Sequence, residues 1–363
     1  MMSSAEEELN KLRSKIDEID SQIIRLIQER ASFAKEIGHV KKNSNEAIYR
    51  PDRERDVYEK VTKQSKGPLP DSVLRAIYRE MMSGTIALEH PLQVGYLGPE
   101  GSFSYEALRN KFGSSIESIP LPTIPDVFRA VDSGQIEYGI VPVENSTEGH
   151  VSSTLDMLLE SHVSIYSESY QKIQFSLLGY EKDLKKIQKI YGIRIGNEQC
   201  RNWISANLSH AEIIETSSTA MAAKTVAEKK EGAAIASKIA SETYGLDIIK
   251  EGIQDFSGNT TRFLVIGKTD CPRTSSDKTS IVFSLPNQVG SLFSALSLFQ
   301  DHSINLLKIE SRPMKSNRWE YNFFIDFKGH KNDPLIESVL SDLKTRCLTL
   351  KVLGSYPISE ENL

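Results

Sequence analysis

One arginine interrupts an otherwise apolar helical pattern close to the N-terminus. Apolar side chains recur at alternating spacings of three and four residues over about four heptads, at Leu9, Leu12, Ile16, Ile19, Ile23, Leu26, Phe33, Ile37 and Val40. Arg30 occupies the slot between Leu26 and Phe33. Either its guanidinium reaches the edge of the seam along its aliphatic stem, or it is buried and needs an anion, because an unpaired buried charge costs several kcal/mol. The pattern predicts a long helix, and the sharper interpretation gives Arg30 a carboxylate ligand.

Two further cations can be placed on the same helix. Lys41 follows Arg30 by eleven residues, about three turns, so the two share a face. Arg13 precedes Arg30 by seventeen residues, which leaves it roughly 100° around the helix and about 25 Å away. Arg13 can serve the same site only if a second copy of the helix runs antiparallel to the first. A homodimer would supply that copy.

A second group of polar residues follows apolar strands in the middle of the chain. The two stretches are residues 98–103 (GPEGSF) and 142–149 (PVENSTEG), and each precedes a helix. Ligands in α/β sheets bind beyond the carboxyl ends of strands, where loop N–H groups and helix N-termini face an anion. Capping of the helices by Ser102 and Thr147 is an equally weighted interpretation of either stretch. The stretches predict a ligand cleft or a pair of helix caps.

Composition limits the partners and the compartment. The 363 residues include 44 Lys and Arg against 49 Asp and Glu, a net charge of −5, without a long basic block, so small molecules are favoured over nucleic acid or a membrane surface. No apolar run approaches the ~20 residues of a membrane-spanning helix. Cys200, Cys271 and Cys347 are far apart and lack metal-ligand spacing, which disfavours disulfides and a metal site. The first residues lack the basic and apolar regions of a secretory signal, and we expect a cytoplasmic protein.

Three segments of different periodicity must position these residues. The first is all-α, with a second helix from Pro51 and a third from Asp71 to about Glu89, capped by Asp71 or Ser72. The second alternates short strands with helices and is α/β. The third has the order βαββαβ of the ferredoxin-like α+β fold, including a strand over Trp319–Phe327, and follows a linker at residues 272–277.

The first segment, residues 1 to about 90, resembles the three-helix bacterial chorismate mutases. The matching stretches are residues 12–16 (LRSKI), 29–30 (ER), Gly38, Lys41 and 50–55 (RPDRER). The resemblance implies an intertwined dimer and a site formed by Arg13 from the partner chain, Arg30, Lys41, Arg50, Arg53, Glu54, Thr85 and Glu89. Arg50, Thr85 and Glu89 stand where some members of the family have Asp, Ser and Gln. Thr85 keeps the hydroxyl, whereas Arg50 removes an acceptor.

The implied reaction suits these residues. Rearrangement of chorismate to prephenate is a unimolecular pericyclic step without nucleophile or cofactor, so the protein folds the dianionic substrate and stabilises charge on its ether oxygen. Arg13 and Arg30 would hold the two carboxylates and Lys41 would donate to the ether oxygen. Glu89, if protonated, would donate from the opposite side.

The middle segment resembles prephenate dehydratase from about Val94 to Lys268. The matching stretches are residues 139–146 (GIVPVENS), 217–220 (SSTA), 233–237 (AAIAS), 253–255 (IQD) and 259–263 (NTTRF). The resemblance implies two α/β subdomains, as in periplasmic binding proteins, with a cleft between them. The chain would visit the second subdomain and return to the first, so that Thr261 faces the cleft.

The same resemblance assigns roles in the cleft. Thr261 is the implied essential hydroxyl and would protonate the leaving hydroxide of prephenate, directly or through water, while the carboxylate departs as CO2. Asn145, Ser146 and Arg262 are the candidates that polarise this hydroxyl, and Gln199 also lines the site. Bracing of the strand is an equally weighted role for Arg262.

One stretch departs from the dehydratase pattern. The family usually reads Tyr-Ser-His-Pro before the helix with Gln-Cys, whereas this chain reads YGIR from Tyr191 and keeps Gln199. Gly192 thus replaces a cleft hydroxyl. Arogenate in place of prephenate is therefore an alternative substrate.

The third segment resembles an ACT regulatory domain. Its two phenylalanine-binding signatures comprise Gly290, Ser291, Leu292, Phe293, Glu310, Ser311, Arg312 and Pro313. Loop N–H groups at the helix start suit an amino-acid carboxylate, and a dimer interface suits its side chain. A structural dimerisation module without ligand is the alternative.

The combined resemblance implies a bifunctional enzyme of phenylalanine biosynthesis that is inhibited by phenylalanine and needs no cofactor. The expected domains are residues 1–90, 91–270 (subdomains 91–168 plus 256–268, and 169–255) and 278–358, in a homodimer or homotetramer. A non-catalytic protein that binds aromatic metabolites and regulates a partner is the competing interpretation. The retained Arg30, Lys41 and Thr261 argue against it.

Overall fold

A computed structural model describes residues 4–44, 49–314 and 321–359, without the side chains of residues 4, 39, 41–44 and 89. Its contacts separate two compact units. The first comprises Met1–Arg50, Glu54–Leu92 and Phe112–Glu117, and the second comprises Pro51–Arg53, Gln93–Lys111 and Ser118–Leu363.

Three helices form most of the first unit. They are α1 (Ser4–Ser44), α2 (Pro51–Gln64) and α3 (Asp71–Glu89). The long first helix and the start of the second at a proline are confirmed; proline suits the first helical position because that N–H has no intrahelical partner. The predicted N-cap of α3 is wrong: Pro70 takes that position, and Asp71 lies in the first turn, where its carboxylate complements the helix dipole.

The apolar seam of α1 lies exposed in the single chain. Leu12, Ile16, Ile23 and Phe33 each keep about half of their surface accessible, between 46% and 58%. A seam of this length is a surface for another helix, because contiguous apolar patches of this kind mark interaction sites.

The first α/β subdomain contains a six-stranded sheet. Its elements are β1 (Gln93–Leu97), α4 (Phe103–Phe112), β2 (Glu117–Leu121), α5 (Ile124–Ser133), β3 (Tyr138–Asn145), β4 (Gly149–His150), α6 (Ser152–Glu160), β5 (Ser164–Lys172) and β11 (Thr260–Gly267). The strand order is β2-β1-β3-β11-β5, with β4 on β3. Strand β11 enters antiparallel between β3 and β5 after the chain has formed the second subdomain.

The second subdomain has its own five-stranded sheet. Its elements are β6 (Ser176–Gly179), a 3-10 turn (Leu184–Lys186), β7 (Lys189–Gly192), α7 (Arg194–Gln199), α8 (Arg201–Asn207), β8 (Glu212–Glu215), α9 (Thr219–Lys229), β9 (Ala233–Ala236), α10 (Lys238–Tyr244) and β10 (Asp247–Lys250). The strand order is β10-β6-β9-β7-β8. Strand β9, which consists of three alanines and one isoleucine, is fully buried, as expected for a strand covered on both faces.

The C-terminal sheet confirms the ferredoxin-like order. Its elements are β12 (Asp277–Ser284), α11 (Ser291–Asp301), β13 (Leu306–Pro313), β14 (Tyr321–Lys328), α12 (Pro334–Arg346) and β15 (Thr349–Pro357), and the strand order is β13-β14-β12-β15. Residues 319 and 320 of the predicted third strand lie outside the described residues. Every residue of β12 is buried, so both faces of this sheet are covered at its centre.

Candidate active sites

The hydroxyl of Thr261 lies at the start of β11 and accepts a hydrogen bond from Asn145. Thr261 and Asn145 are cross-strand neighbours in the β3–β11 register, and the Asn145 Nδ2 to Thr261 Oγ1 distance is 2.8 Å. Within the described part of the chain, the Thr261 hydroxyl donates no hydrogen bond. Its proton is therefore not committed to another described group, and the bond from Asn145 withdraws charge from the oxygen that carries it.

A chain of side-chain amides continues from this pair. Asn145 Nδ2 also donates to Asn259 Oδ1 at 2.7 Å, and Asn259 Nδ2 donates to Gln199 Oε1 at 2.9 Å. Gln199 comes from the second subdomain, at the end of α7, so the chain of amides joins the two subdomains. Predicted residues Asn145, Gln199 and Thr261 are thus brought together. Asn259 was not among the predicted site residues, although it opens the 259–263 stretch.

The loop after β3 is held by the other end of the Asn145 amide. Asn145 Oδ1 accepts from the backbone N–H groups of Thr147 and Glu148, at 3.0 and 3.1 Å, and from the Thr147 hydroxyl at 2.6 Å. Such an Asx arrangement fixes a turn through a local side chain. Ser146 has a backbone role, because its hydroxyl accepts from Thr260 N and donates to Gly258 O. The structure thus favours Asn145 over Ser146 as the polarising neighbour of Thr261.

The predicted contact of Arg262 with substrate needs correction. Consecutive residues on a strand point to opposite faces, and Arg262 faces away from the amide chain. Its side chain is buried, with Nε 2.9 Å from Glu168 Oε2 and Nη1 2.8 Å from Asp326 Oδ2. The structure favours the bracing role.

The space beside Gly192 is filled by Asn197. The Asn197 amide donates to the Gly192 carbonyl at 3.3 Å, and a Cβ added at Gly192 would overlap Asn197 Oδ1. That Oδ1 atom is buried and has no hydrogen-bond partner among the described residues. The amide thus occupies the place next to the backbone where a larger residue at position 192 would project.

In the helical unit, Arg30 has an unused buried donor. Its side chain is half-buried on α1, and Nη1 is buried without a hydrogen-bond partner among the described residues. An orphaned guanidinium nitrogen is costly unless a ligand satisfies it. Arg13 is exposed on the same continuous helix, and seventeen residues of helix separate it from Arg30 by about 25 Å. One chain alone therefore does not bring these two cations together.

Four other predicted residues lie on α2 and α3 or at their ends. Glu54 accepts from the hydroxyls of Tyr49 and Tyr58 at 3.1 and 3.2 Å, and the Thr85 hydroxyl donates to carbonyls of its own helix. Arg50 is the N-cap residue of α2, and its carbonyl accepts from Glu54 N. Arg53 is exposed in the first turn of α2.

The side chains of Lys41 and Glu89 lie outside the described part of the chain. The backbone places Lys41 in the last turn of α1 and Glu89 at the end of α3. Their roles stay predictions.

The two signatures in the C-terminal sheet occupy different environments. Gly290 has a φ of +83°, which favours glycine, and precedes α11, whose Leu292 and Phe293 are exposed. Ser291 begins the helix. In contrast, Glu310 pairs with His150 at 3.0 Å and Arg312 with Asp156 at 2.7 Å, so these signature charges contact the first α/β subdomain.

Ser311 and Pro313 alternate with these charged residues along β13 and are exposed. Phenylalanine binding at both signatures stays a prediction.

Two classes of site are not observed in the described residues. No group of three or more His, Cys, Asp or Glu side chains is arranged to hold a metal ion. None of the described helices combines the length and apolar composition needed to cross a membrane.

The Cys200 thiol after Gln199 is buried, and burial together with Asp255 raises its pKa to about 12, so it is not a nucleophile at neutral pH.

Two α/β subdomains joined by a chain of side-chain amides, a helical unit and a βαββαβ sheet define a multidomain small-molecule enzyme with a regulatory module. Family models match all three parts: chorismate mutase type II over residues 12–90, prephenate dehydratase over 94–271 and the ACT domain over 279–345. A bifunctional chorismate mutase/prephenate dehydratase from Aquifex aeolicus is 44% identical over 97% of this chain and 98% of its own.

Two solved structures each match 74% of this chain. Prephenate dehydratase from Arthrobacter aurescens in complex with L-Phe has a TM-score of 0.68 and 31% identity over 74% of this chain and 90% of its own. GqqA, described as a novel type of quorum quenching acylase, has a TM-score of 0.67 and 28% identity over 74% of this chain and 98% of its own. The chain belongs to the bifunctional chorismate mutase/prephenate dehydratase family.

Proposed function

We propose that the chain converts chorismate to prephenate and then prephenate to phenylpyruvate, CO2 and water, with phenylalanine as its feedback inhibitor. Residues 1–90, 91–270 and 278–358 carry the mutase, the dehydratase and the sensor, in a cytoplasmic homodimer or homotetramer. The observation that carries the proposal is the amide chain that ends on the Thr261 hydroxyl.

The mutase reaction needs positioning and charge stabilisation only. Arg30 offers one carboxylate of chorismate a buried Nη1 that has no hydrogen-bond partner among the described residues. The second carboxylate is bound by Arg13 of an antiparallel second copy, and the exposed seam of α1 is the surface on which the two copies pair. Lys41 and Glu89 serve the ether oxygen, as the resemblance implies. No step involves a covalent intermediate or a cofactor.

In the dehydratase cleft, Thr261 acts as the acid. Asn145 holds the Thr261 oxygen by donation, which leaves the hydroxyl proton pointing to the substrate. This proton, directly or through water, goes to the departing ring hydroxyl and gives water, and Thr261 regains a proton from solvent, because the reaction consumes one proton overall. The electron pair of the breaking carbon–carboxylate bond enters the ring, CO2 leaves, and the ring becomes aromatic.

The sensor role depends on the start of α11. Gly290 precedes an eleven-residue helix, at whose N-terminus an amino-acid carboxylate would be stabilised by the helix dipole. The Ser291 N–H donates to Gln288 O, so the N–H groups of the next residues would bind the carboxylate. The exposed Leu292 and Phe293 offer apolar contacts for an aromatic side chain. The contact of Glu310 with His150 and the ion pair of Arg312 with Asp156 link the second signature to the dehydratase.

A coupled assay tests the proposal. Purified wild-type protein receives chorismate, and prephenate and phenylpyruvate are quantified with and without phenylalanine. Thr261→Ala is compared with Thr260→Ala, a neighbouring threonine on the same strand. We expect Thr261→Ala to stop at prephenate and Thr260→Ala to reach phenylpyruvate.

Arogenate is supplied in parallel as the alternative dehydratase substrate, since Gly192 and the Asn197 Oδ1, which has no hydrogen-bond partner in the described part of the chain, alter one side of the second subdomain. If the wild type accumulates prephenate but turns over arogenate, then arogenate is the substrate of the dehydratase site in place of prephenate. Absence of turnover of both would refute the dehydratase assignment.

A further inference from the structure

Arg262, the residue after Thr261, joins two sheets through a buried ionic cluster. Its guanidinium contacts Glu168 of β5 in its own sheet, and Asp326 of β14 and Tyr356 of β15 in the C-terminal sheet. The distances are 2.9, 2.8 and 2.9 Å. One side chain on the strand that carries the proposed acid is thus fixed by the ACT domain.

The cluster is closed and electrically balanced. Lys278 of β12 lies 2.6 Å from Glu168, so two cations face two carboxylates. Arg262, Lys278, Glu168 and Asp326 are 2–8% exposed. Removal of one partner from such a set leaves an uncompensated buried charge, so the set strongly fixes the geometry of the groups that form it.

Hydroxyl groups complete the cluster on the ACT side. Ser280 donates to Asp326 Oδ1 at 2.6 Å and lies 2.6 Å from the Tyr356 hydroxyl. Burial alone would raise the pKa of Asp326, but Arg262 and Lys278 outweigh it and hold that pKa below its ordinary value. Asp326 therefore stays ionised opposite Arg262 at neutral pH.

The backbone explains why this anchor matters at Thr261. The register between β3 and β11 shifts directly after Arg262, between the pairs Arg262–Glu144 and Phe263–Pro142. Bulges interrupt the hydrogen-bond ladder and re-aim neighbouring side chains. Thr261 itself stays paired with Asn145 on β3 and with Gln171 on β5, and Arg262 is the residue at which the pairing with β3 changes. A displacement of the Arg262 side chain would therefore be passed to Thr261 through the adjoining backbone.

We propose that Arg262, held by Asp326 of the ACT sheet, is a positioning residue for Thr261, so that the dehydratase step depends on the ACT domain through this ion pair. The proposal rests on the proposed dehydratase function. It predicts that a change in β14 alters turnover at Thr261 without affecting the mutase.

The test compares Asp326→Asn with Lys351→Met in the full-length chain. Lys351 also crosses from the ACT sheet to the dehydratase, where it donates to Leu158 O at 2.7 Å at the end of α6; among the described residues its hydrogen bonds go to this region and none goes to β11. Mutase kcat, dehydratase kcat and KM, and the melting temperature are measured for each. We expect Asp326→Asn to lower dehydratase kcat by about tenfold or more, as small displacements of reacting groups do, with little change in KM or mutase kcat. Lys351→Met should keep dehydratase kcat within about threefold of wild type.

Tyr356→Phe provides a milder variant in case Asp326→Asn does not fold. It removes one hydrogen bond to Arg262 and leaves all four charges in place, and we expect a smaller decrease in dehydratase kcat at unchanged KM. Equal effects of Asp326→Asn and Lys351→Met, or an unchanged kcat in both cluster variants, would overturn the positioning role. A wild type that lacks dehydratase activity would instead refute the proposed function.

Discussion

Replacement of Asn145 by aspartate separates the two tasks of this side chain. The amide makes five hydrogen bonds: Nδ2 donates to Thr261 and Asn259, and Oδ1 accepts from two backbone N–H groups and the Thr147 hydroxyl. Asn145→Asp keeps an oxygen for the three accepted bonds and loses both donated ones. The carboxylate then accepts the Thr261 proton, which turns that proton away from the substrate.

The size of the effect follows from these contacts. Loss of one preorganised donor that acts on a reacting group lowers kcat by roughly 10²–10³-fold, and we expect this range for dehydratase kcat. The buried Asn259 oxygen also loses a donor, so the free energy of unfolding should fall by roughly 1–3 kcal/mol. KM should change little, since Asn145 acts through Thr261.

The assay follows phenylpyruvate formation from prephenate, with mutase activity measured on the same preparation to show that the chain is folded. Asn207→Asp is the matched control, because the Asn207 amide donates to one carbonyl of its own helix at the surface. Dehydratase kcat of Asn145→Asp within about threefold of wild type would contradict the polarising role, since the lost donor should cost far more.

Three further perturbations have defined outcomes. Burial and the neighbouring carboxylate of Glu242 raise the pKa of Glu106 to about 7. The proton on Glu106 therefore contributes up to about 3 kcal/mol to the free energy of unfolding; this contribution is complete below pH 4.5 and is lost as the pH rises through 7. Denaturant unfolding between pH 5 and 8 should show this decline in wild type and a flatter profile in Glu106→Gln; equal slopes would exclude it. Gly192→Ser brings its Cβ against Oδ1 of Asn197, the end of a side chain that can rotate, so the free energy of unfolding should fall by no more than about 1 kcal/mol; addition of Asn197→Ala should remove this loss in a thermal-shift measurement. Arg13→Ala and Arg30→Ala should each lack mutase activity, but co-refolded subunits should recover about a quarter, since half of the dimers are mixed and each has one intact site; no recovery would argue against a shared site.

Much of the architecture was accessible from periodicity. The three-and-four spacing from Leu9 to Val40 predicts α1, Pro51 marks the start of α2, and the βαββαβ order of the C-terminal segment is confirmed because each element has a clear period and short turns. The predicted capping residue of α3 was wrong because residue propensity alone does not distinguish the N-cap position from the first turn of the helix.

The partner of Arg262 could not be predicted. Arg262, Lys278 and Asp326 lie on strands as charged residues, a pattern that normally indicates a solvent-facing side. Only the packing of one sheet on another buries them together. In contrast, the Thr261–Asn145 contact could be predicted from the sequence, because both residues belong to stretches that the family resemblance identifies. The alternation of strand side chains already separates Thr261 from Arg262.

Complementation between two inactive variants tests the presence of two independent sites on one chain. Arg30→Ala and Thr261→Ala are purified separately, supplied with chorismate alone or mixed, and prephenate and phenylpyruvate are quantified. We predict that Arg30→Ala consumes no chorismate, that Thr261→Ala accumulates prephenate, and that the mixture forms phenylpyruvate because released prephenate reaches the intact dehydratase. Phenylpyruvate from Thr261→Ala alone, or none from a mixture in which prephenate accumulates, would contradict a bifunctional chain with Thr261 as the acid.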